Sequence, residues 1–283
     1  LTPLQMLNAF GLAGSQAAGT NASRGSPTLK FHQSRGSASG LLAGLLAEQG
    51  FKASAEVLAH PDGGIFAAYS DGGNPGAVTD GLGQRYALEE IAFRLWPGTT
   101  AAQPTLTAAV DLIGNGRPAF DAIDRVTIDV PPKVHAAHAA FAAPTRKAEA
   151  LSSFHFMVTK VLRDGDFWLE AIEPVQFGDA ELQNFSKERV VLAADADLAA
   201  GQSRVSVTMR DGTITSAEAT AAKGASGNPA SRNDLVRKYH KCVSGRLSDA
   251  DANELLDVLI RVDQQDDLGR LFELLRSVGE RNR

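Results

Sequence analysis

The chain has 283 residues, 43% of them hydrophobic and 22% charged, a globular composition that excludes a disordered, collagen-like or disulfide-scaffold protein. Its 28 Lys and Arg residues face 33 Asp and Glu residues without forming a basic stripe, so we expect no nucleic-acid partner and no membrane partner. Cys242 is the only cysteine, which excludes an intramolecular disulfide and favours a cytoplasmic location.

The first part of the chain is predicted to be helical. Apolar residues recur at helical spacing from Pro3 to Ala18 and again from Ser37 to Gln49. Because Ala, Gly and Ser dominate both segments, we expect them to pack tightly inside a helical bundle. A third helix is predicted from Ala55 to Leu58, followed by a turn-rich loop from His60 to Gly83.

The middle of the chain changes to strand patterns. Apolar and polar residues alternate from Arg125 to Val130, a second strand is predicted from Arg189 to Ala193, and Arg204 to Ala219 is predicted to form a hairpin. An amphipathic helix is predicted from Ala148 to Arg163. Together these elements predict a helix packed on a small antiparallel sheet.

The tail returns to helical patterns, with Ser231 or Asn233 and then Ser248 as helix caps, and a last helix from Asp266 to Val278. The predicted fold class is therefore α+β: a mainly helical domain, whose N- and C-terminal segments pack together, with a smaller α+β domain inserted between them. The predicted boundaries are residues 1–97 and 226–283 for the two helical parts and 98–225 for the smaller domain.

Standard motifs for nucleotides, zinc proteases, serine hydrolases and calcium loops are absent from the sequence. His135 and His138 have a spacing that can bind metal, but no carboxylate ligand is near and the segment is rich in alanine. Since a zinc site needs three or four converging ligands, we interpret this segment as a surface loop and predict no metal site.

Three basic or titratable side chains, Lys30, His32 and Arg35, lie directly ahead of the small-residue helix. Cations at the start of a helix can hold a polycarboxylate, because free backbone N–H groups and the helix dipole add to their charge. His32 could then carry a proton. The alternative interpretation is a capped helix with ordinary flanking charges.

Arg94 and Gln103 form a second candidate pair. Arg94 offers a planar fork to a carboxylate, and Gln103 offers an amide that can orient a hydroxyl group. The alternative is that Arg94 is a solvated residue at the end of a strand.

The segments Gly11 to Gly19, Leu29 to Phe51, Gly63 to Gly73 and Gly227 to Ser231 resemble the MmgE/PrpD family. The family includes 2-methylcitrate dehydratase, an enzyme of propionate metabolism, and cis-aconitate decarboxylase. The resemblance implies a large helical domain with a smaller α+β domain and a homodimer. It also implies cofactor-free elimination, decarboxylation or epimerisation of di- and tricarboxylic acids, by proton transfer beside a carboxylate.

Carried over residue by residue, the resemblance makes His32 and Lys30 catalytic, with Lys30 one place after Leu29, where the family lysine usually lies. Arg94 takes the place of another family lysine. With Arg35, it would clamp carboxylates, while Gln103 fits the methylcitrate dehydratase pattern and would orient the substrate hydroxyl. Phe156 stands where the family has a tyrosine.

The family's N-terminal helical region, with further catalytic residues, has no counterpart before Leu1, so we expect an upstream part. The leading hypothesis is a lyase that dehydrates or isomerises a small hydroxy polycarboxylic acid without a metal or organic cofactor. The alternative is a non-catalytic or truncated homologue, acting as a dimeric scaffold or a carboxylate-binding protein.

Overall fold

A computed structural model describes residues 1–20, 22, 28–71 and 73–280, apart from the side chains of residues 29, 177 and 278–280. The chain forms two compact units, Leu1–Tyr86 and Ala87–Arg283. Each unit has its own helices, and the described strands all lie in the second unit.

The described part of the first unit is helical. Its helices are α1 (Pro3–Ser15), α2 (Thr28–Glu48) and α3 (Ile65–Tyr69). Thr2 caps α1 in a capping box with Gln5, and α1 packs against α2. The prediction that α2 begins at Ser37 is wrong. The helix already starts at Thr28, so Lys30, His32 and Arg35 lie within its first turns rather than ahead of it.

Two further predictions for this unit are wrong. Residues 55–58 form turns, and the short helix α3 lies inside the segment predicted to be a loop. Burial of α2 is limited to the stripe that includes Ser39, Ala43 and Ala47, while Leu41 and Leu45 remain exposed in this chain. The small residues therefore line one contact stripe with α1 instead of embedding α2 in a bundle.

The second unit contains the sheet and the remaining helices. Its strands are β1 (Ile123–Val130), β2 (Val190–Ala194), β3 (Ser203–Met209) and β4 (Ile214–Ala219). Its helices are α4 (Gln103–Gly114), α5 (Pro132–His138), α6 (Lys147–Ala150), α7 (Phe154–Asp164), α8 (Pro174–Phe177), α9 (Ala180–Arg189), α10 (Arg232–Val243), α11 (Asp249–Ile260) and α12 (Gly269–Glu280).

The four described strands form one sheet in the order β2-β1-β3-β4. The β3–β4 hairpin is confirmed, and β1 pairs antiparallel with β3. The prediction of a purely antiparallel sheet is wrong, because β2 runs parallel to β1, with Val126 opposite Val190. The sheet is mixed, and the α+β fold class is confirmed.

One face of the sheet is apolar and carries the helices. Val126 and Ile128 of β1 and Val205 and Val207 of β3 are fully buried. Helix α4 packs on β3 and β4, α7 packs on β2, and the two helices pack on each other. The core continues into the aromatic side chains of α7 and the segment after it, Phe154, Phe156 and Phe167. Alternation along the strands thus places the core between the sheet and the α4–α7 pair.

Two helix predictions in this unit are corrected. The single helix predicted from Ala148 to Arg163 is divided into α6 and α7, because the Ser153 hydroxyl accepts the backbone N–H of Phe156 and caps a new helix. The segment with His135 and His138 is the helix α5 rather than a loop, and it starts with Pro132 in its first turn.

The last three helices share a small apolar cluster that includes Leu247, Leu255, Leu271 and Leu274. Ser231 and Ser248 cap α10 and α11, as predicted. That these helices pack with the N-terminal segment stays a prediction. In the part of the chain that the structure describes, every helix is too short or too polar to cross a membrane.

Candidate functional site

A cavity of about 390 Å³ lies between the end of α1 and the beginning of α2, and we call it the α1–α2 cavity. Its lining residues from α2 include His32 and Arg35, which stand three positions apart and therefore share one face of the helix. Among the described residues, no Asp or Glu lines this cavity. The lining thus combines an acid–base group with a carboxylate-binding group.

The position of His32 depends on Gly19, which lies directly against it in the wall of the α1–α2 cavity. A Cβ atom at residue 19 would lie 2.9 Å from His32 Nδ1, and Gly19 has φ of +109°, a conformation that other residues rarely adopt. His32 is half-buried there and has no hydrogen-bond partner among the described residues. Gly19 therefore packs against the Nδ1 edge of the ring, which leaves Nε2 on the edge that does not face Gly19.

Lys30 is exposed and does not line the α1–α2 cavity. It stands two positions before His32, and side chains with that spacing point to different sides of a helix. The structure brings Arg35 to His32 and leaves Lys30 apart from both. The catalytic role of Lys30 stays a prediction.

A second cavity, of about 320 Å³, lies in the second unit, and we call it the Arg94 cavity. Its wall comes from the segment 92–94, the start of α4, Ala200 and Gly201, and the loop 220–227. Arg94 is exposed at this cavity, and its guanidinium group has no partner among the described side chains. Among the described residues, the lining contains two cations, Arg94 and Lys223, and no carboxylate.

Gln103 also borders the Arg94 cavity, but its amide is already engaged. Gln103 is 2% exposed. Its Nε2 atom donates to the carbonyl oxygens of Trp96, Gly98 and Thr99 at 3.1, 3.3 and 3.4 Å, and its Oε1 atom accepts the Trp96 N–H at 3.4 Å. In this arrangement Gln103 holds the turn after Arg94 in place. Its predicted contact with a substrate hydroxyl would require these bonds to open.

Replacing Gln103 with Leu should lower the free energy of unfolding by about 2 kcal/mol, because buried carbonyl groups then lose their donor. Urea unfolding of the full chain measures this loss. Gln264→Leu is the matched control, since Gln264 is exposed and should change stability by less than about 0.5 kcal/mol. Equal stability of the two variants would contradict the conclusion that Gln103 holds the turn after Arg94 in place.

Lys223 is the side chain in this region that the sequence interpretation missed. It lies just before the Gly227 to Ser231 segment, one of the segments that resemble the family. Its place at the Arg94 cavity depends on a long-range contact between the loop 220–227 and the chain before α4. The signal for Lys223 that the sequence offered was its position next to a turn with two glycines, Gly224 and Gly227.

Among the described residues, the histidines of the second unit do not form a metal centre. His138 Nδ1 lies 3.0 Å from the carbonyl oxygen of Ser152, and its ring packs against Phe154. Among the residues that the structure describes, no three His, Cys, Asp or Glu side chains come together so that they could hold a metal ion. His155 is 5% exposed, and its Nδ1 atom has no hydrogen-bond partner there.

Burial, and secondarily the nearby charge of His135, lowers the pKa of His155 to about 4. Above the ordinary histidine pKa of about 6.5 the residue is neutral in both folded and unfolded chains, so it contributes no pH dependence. As the pH falls towards 4, the unfolded chain binds a proton that the folded chain does not bind. The free energy of unfolding should then fall by about 3 kcal/mol from this residue.

Urea unfolding at pH 7 and pH 4 tests this, with His155→Phe as the variant that cannot titrate. The variant should lose about 3 kcal/mol less than the unchanged chain over that pH interval. His240→Phe is the control, because His240 is exposed and should leave the pH dependence as it is. The same pH-dependent loss in His155→Phe and in the unchanged chain would refute the effect.

Two family models match most of the chain. The MmgE/PrpD N-terminal domain model matches residues 1–77, and the MmgE/PrpD C-terminal domain model matches residues 96–264. The chain belongs to the MmgE/PrpD family. A search of curated proteins finds no match to this chain.

The MmgE/PrpD family includes dehydratases. The two matched segments fall in different compact units of this chain, with the α1–α2 cavity in the N-terminal match and most of the Arg94 cavity in the C-terminal match. Phe156, which the family resemblance aligned with a tyrosine, is fully buried in the core. It offers no polar group to either cavity.

Proposed function

We propose that this MmgE/PrpD protein is a lyase that dehydrates or isomerises a small hydroxy di- or tricarboxylic acid such as 2-methylcitrate. The observation that carries the proposal is that His32 and Arg35 both line the α1–α2 cavity. A general base next to a carboxylate anchor is what removal of a proton beside a carboxylate requires. The family match supports the same class of reaction.

In the proposed reaction, a carboxylate of the substrate pairs with the Arg35 guanidinium, which presents a planar fork of donors. His32 takes the proton from the carbon beside that carboxylate. The positive charge of Arg35 stabilises the enolate-like charge that develops on the carboxylate. The hydroxyl group then leaves from the neighbouring carbon and takes up a proton, giving an alkene and water.

The test is proton NMR of the full chain in heavy water with 2-methylcitrate, citrate and cis-aconitate. We expect alkene or hydrate signals from one of these acids, together with loss of the proton signal beside the carboxylate through exchange with deuterium. Boiled protein and buffer alone are the controls. A folded chain that gives neither product nor exchange with any acid would overturn the proposal.

A non-catalytic carboxylate-binding protein is the second candidate, and the engaged amide of Gln103 favours it. Under this hypothesis, the chain binds the same acids without converting them. Calorimetric titration that detects binding of citrate, with silent NMR spectra, would support it. Turnover would exclude it.

We also propose a homodimer in the cytoplasm, on the family resemblance and on the single cysteine. Light scattering coupled to size-exclusion chromatography tests the dimer. A mass of twice 29.8 kDa is the expected result, and the mass of one chain would refute it.

A further inference from the structure

The loop 220–227, at the Arg94 cavity, is tied to the segment that carries Arg94. The Phe93 N–H donates to the Gly224 carbonyl oxygen at 2.9 Å. Arg94 follows the donor residue in sequence, and Lys223 precedes the acceptor residue. One backbone hydrogen bond therefore fixes the positions from which the two cations line the same cavity.

Further bonds make this loop a preformed structure. The Lys223 N–H donates to the Thr107 hydroxyl of α4 at 2.9 Å, and that hydroxyl donates to the Gln103 carbonyl oxygen at 2.8 Å. Asn228 Nδ2 donates to the Ala221 carbonyl oxygen at 3.2 Å. On the other side, Lys238 of α10 donates to the Arg94 carbonyl oxygen at 2.6 Å. A loop that is already ordered loses little entropy when it binds a ligand.

Two backbone N–H donors at the Arg94 cavity have no acceptor in the part of the chain that the structure describes. Ser226 and Gly227 are the central residues of a turn that is closed by the Asn228 N–H and the Ala225 carbonyl oxygen at 2.9 Å. Their own N–H groups have no acceptor among the described residues. Successive free N–H groups in a turn, with nearby cations, are a recurrent anion-binding arrangement.

The ammonium group of Lys223 is only loosely held. Its nearest carboxylate oxygen, Asp234 Oδ2, is 3.8 Å away. That oxygen already accepts the Ser231 N–H at 2.8 Å and the Ser231 hydroxyl at 2.7 Å. Arg237 pairs with the other oxygen of Asp234. Lys223 can therefore turn to a ligand without leaving Asp234 unpaired.

The cavity has a mixed lining that favours a carbon chain bearing acidic groups over an inorganic anion. Apolar side chains alternate with the donors, and they include Ala92, Phe93, Pro104, Ala200, Ala221 and Ala222. Three other cavities of this unit are each lined by Asp or Glu, so the absence of a carboxylate from the described lining distinguishes the Arg94 cavity. Its volume of about 320 Å³ is large enough for a small ligand.

We propose that the Arg94 cavity binds a small polycarboxylate, with Arg94 holding one carboxylate and Lys223, with the N–H groups of Ser226 and Gly227, holding another. This assigns Lys223 as a binding residue. The choice of carboxylic acids as the ligand class rests on the proposed function, whereas the two-point anion site rests on the geometry of the loop.

The test is calorimetric titration of the full chain with tricarballylate, a tricarboxylate that has no hydroxyl group and therefore cannot be dehydrated. We expect Lys223→Gln and Arg94→Gln each to weaken binding tenfold or more, because each removes a charge-assisted contact. Lys133→Gln and Arg125→Gln are the matched controls, because both residues are exposed away from the cavity, and each should stay within twofold of the unchanged chain.

The proposal would be overturned if tricarballylate does not bind the unchanged folded chain. Equal weakening of binding in the cavity variants and in the controls would also overturn it. So would an affinity that falls with Arg35→Gln but not with Lys223→Gln. Inorganic phosphate is titrated in parallel, and equal affinity for phosphate would overturn the polycarboxylate assignment. Binding that depends on Lys223, with no turnover of any hydroxy acid, would keep this proposal and refute the lyase. Turnover of a hydroxy acid, together with tricarballylate binding that is unchanged in Lys223→Gln, would keep the lyase and refute this proposal.

Discussion

Replacing His32 with Gln should lower turnover of the preferred hydroxy acid by roughly 10²- to 10⁴-fold, the usual contribution of a positioned general base. Glutamine has a similar length and can hydrogen-bond, but it cannot take up a proton near neutral pH. Because His32 is half-buried and has no hydrogen-bond partner among the described residues, the variant should fold normally. Substrate binding through Arg35 should remain, so the loss should appear in kcat rather than in KM.

The measurement is the initial rate by NMR for the unchanged chain, His32→Gln and His240→Gln. His240 is an exposed residue of α10 and lines neither cavity, so His240→Gln should keep the full rate. Deuterium exchange beside the carboxylate should be lost together with product formation in His32→Gln. A rate for His32→Gln within a factor of three of the control would remove His32 from the mechanism.

Replacing Gly224 with Ala should lower the free energy of unfolding by about 3 to 4 kcal/mol. A Cβ atom at this position would lie 2.1 Å from the backbone oxygen of Phe93, and the residue has φ of +97°. The left-handed conformation alone costs alanine about 1 to 2 kcal/mol, and moving the loop away breaks the Phe93–Gly224 hydrogen bond, worth about 1 kcal/mol more. The remainder is lost packing around the Arg94 cavity.

Gly212→Ala separates these contributions. Gly212 has φ of +86° in the β3–β4 turn, but a Cβ atom there would meet nothing within 4 Å, so this variant carries the conformational cost without the collision. Urea unfolding should show a loss of about 1 to 2 kcal/mol for Gly212→Ala and at least 1 kcal/mol more for Gly224→Ala. Tricarballylate binding should weaken only in Gly224→Ala. Equal losses in both variants would mean that the loop is free to move away from Phe93.

Local patterns predicted the elements of the second unit well and their assembly less well. The hairpin of β3 and β4 is a local structure, and its turn between two alternating segments identified it correctly. The direction of β2 relative to β1 depends on how the helices between them cross the sheet, which alternation of apolar residues does not contain. The antiparallel prediction failed for this reason.

The candidate site shows the same division between local and distant information. His32 and Arg35 share a helix face, and their spacing in the sequence was enough to group them. The sequence predicts a free amide for Gln103, and this is wrong. The acceptors of the amide are the backbone carbonyl groups of Trp96, Gly98 and Thr99, whose positions depend on a turn. Lys223 was missed because only the tertiary structure brings it to the cavity that Arg94 lines.

The place of β1 in the middle of the sheet has a consequence for the order of folding. β1 is made first, but its neighbours β2 and β3 follow only after the helices α5 to α9 have been synthesised. Pairing of β3 with β4 closes only a short loop, whereas pairing of β1 with β2 or β3 closes a long one. We therefore expect the hairpin to form early and β1 to join the sheet late. On the ribosome, Val126 and Ile128 therefore stay uncovered until those partners emerge. A nascent chain stalled before β2 should be recognised by chaperones that bind exposed strands.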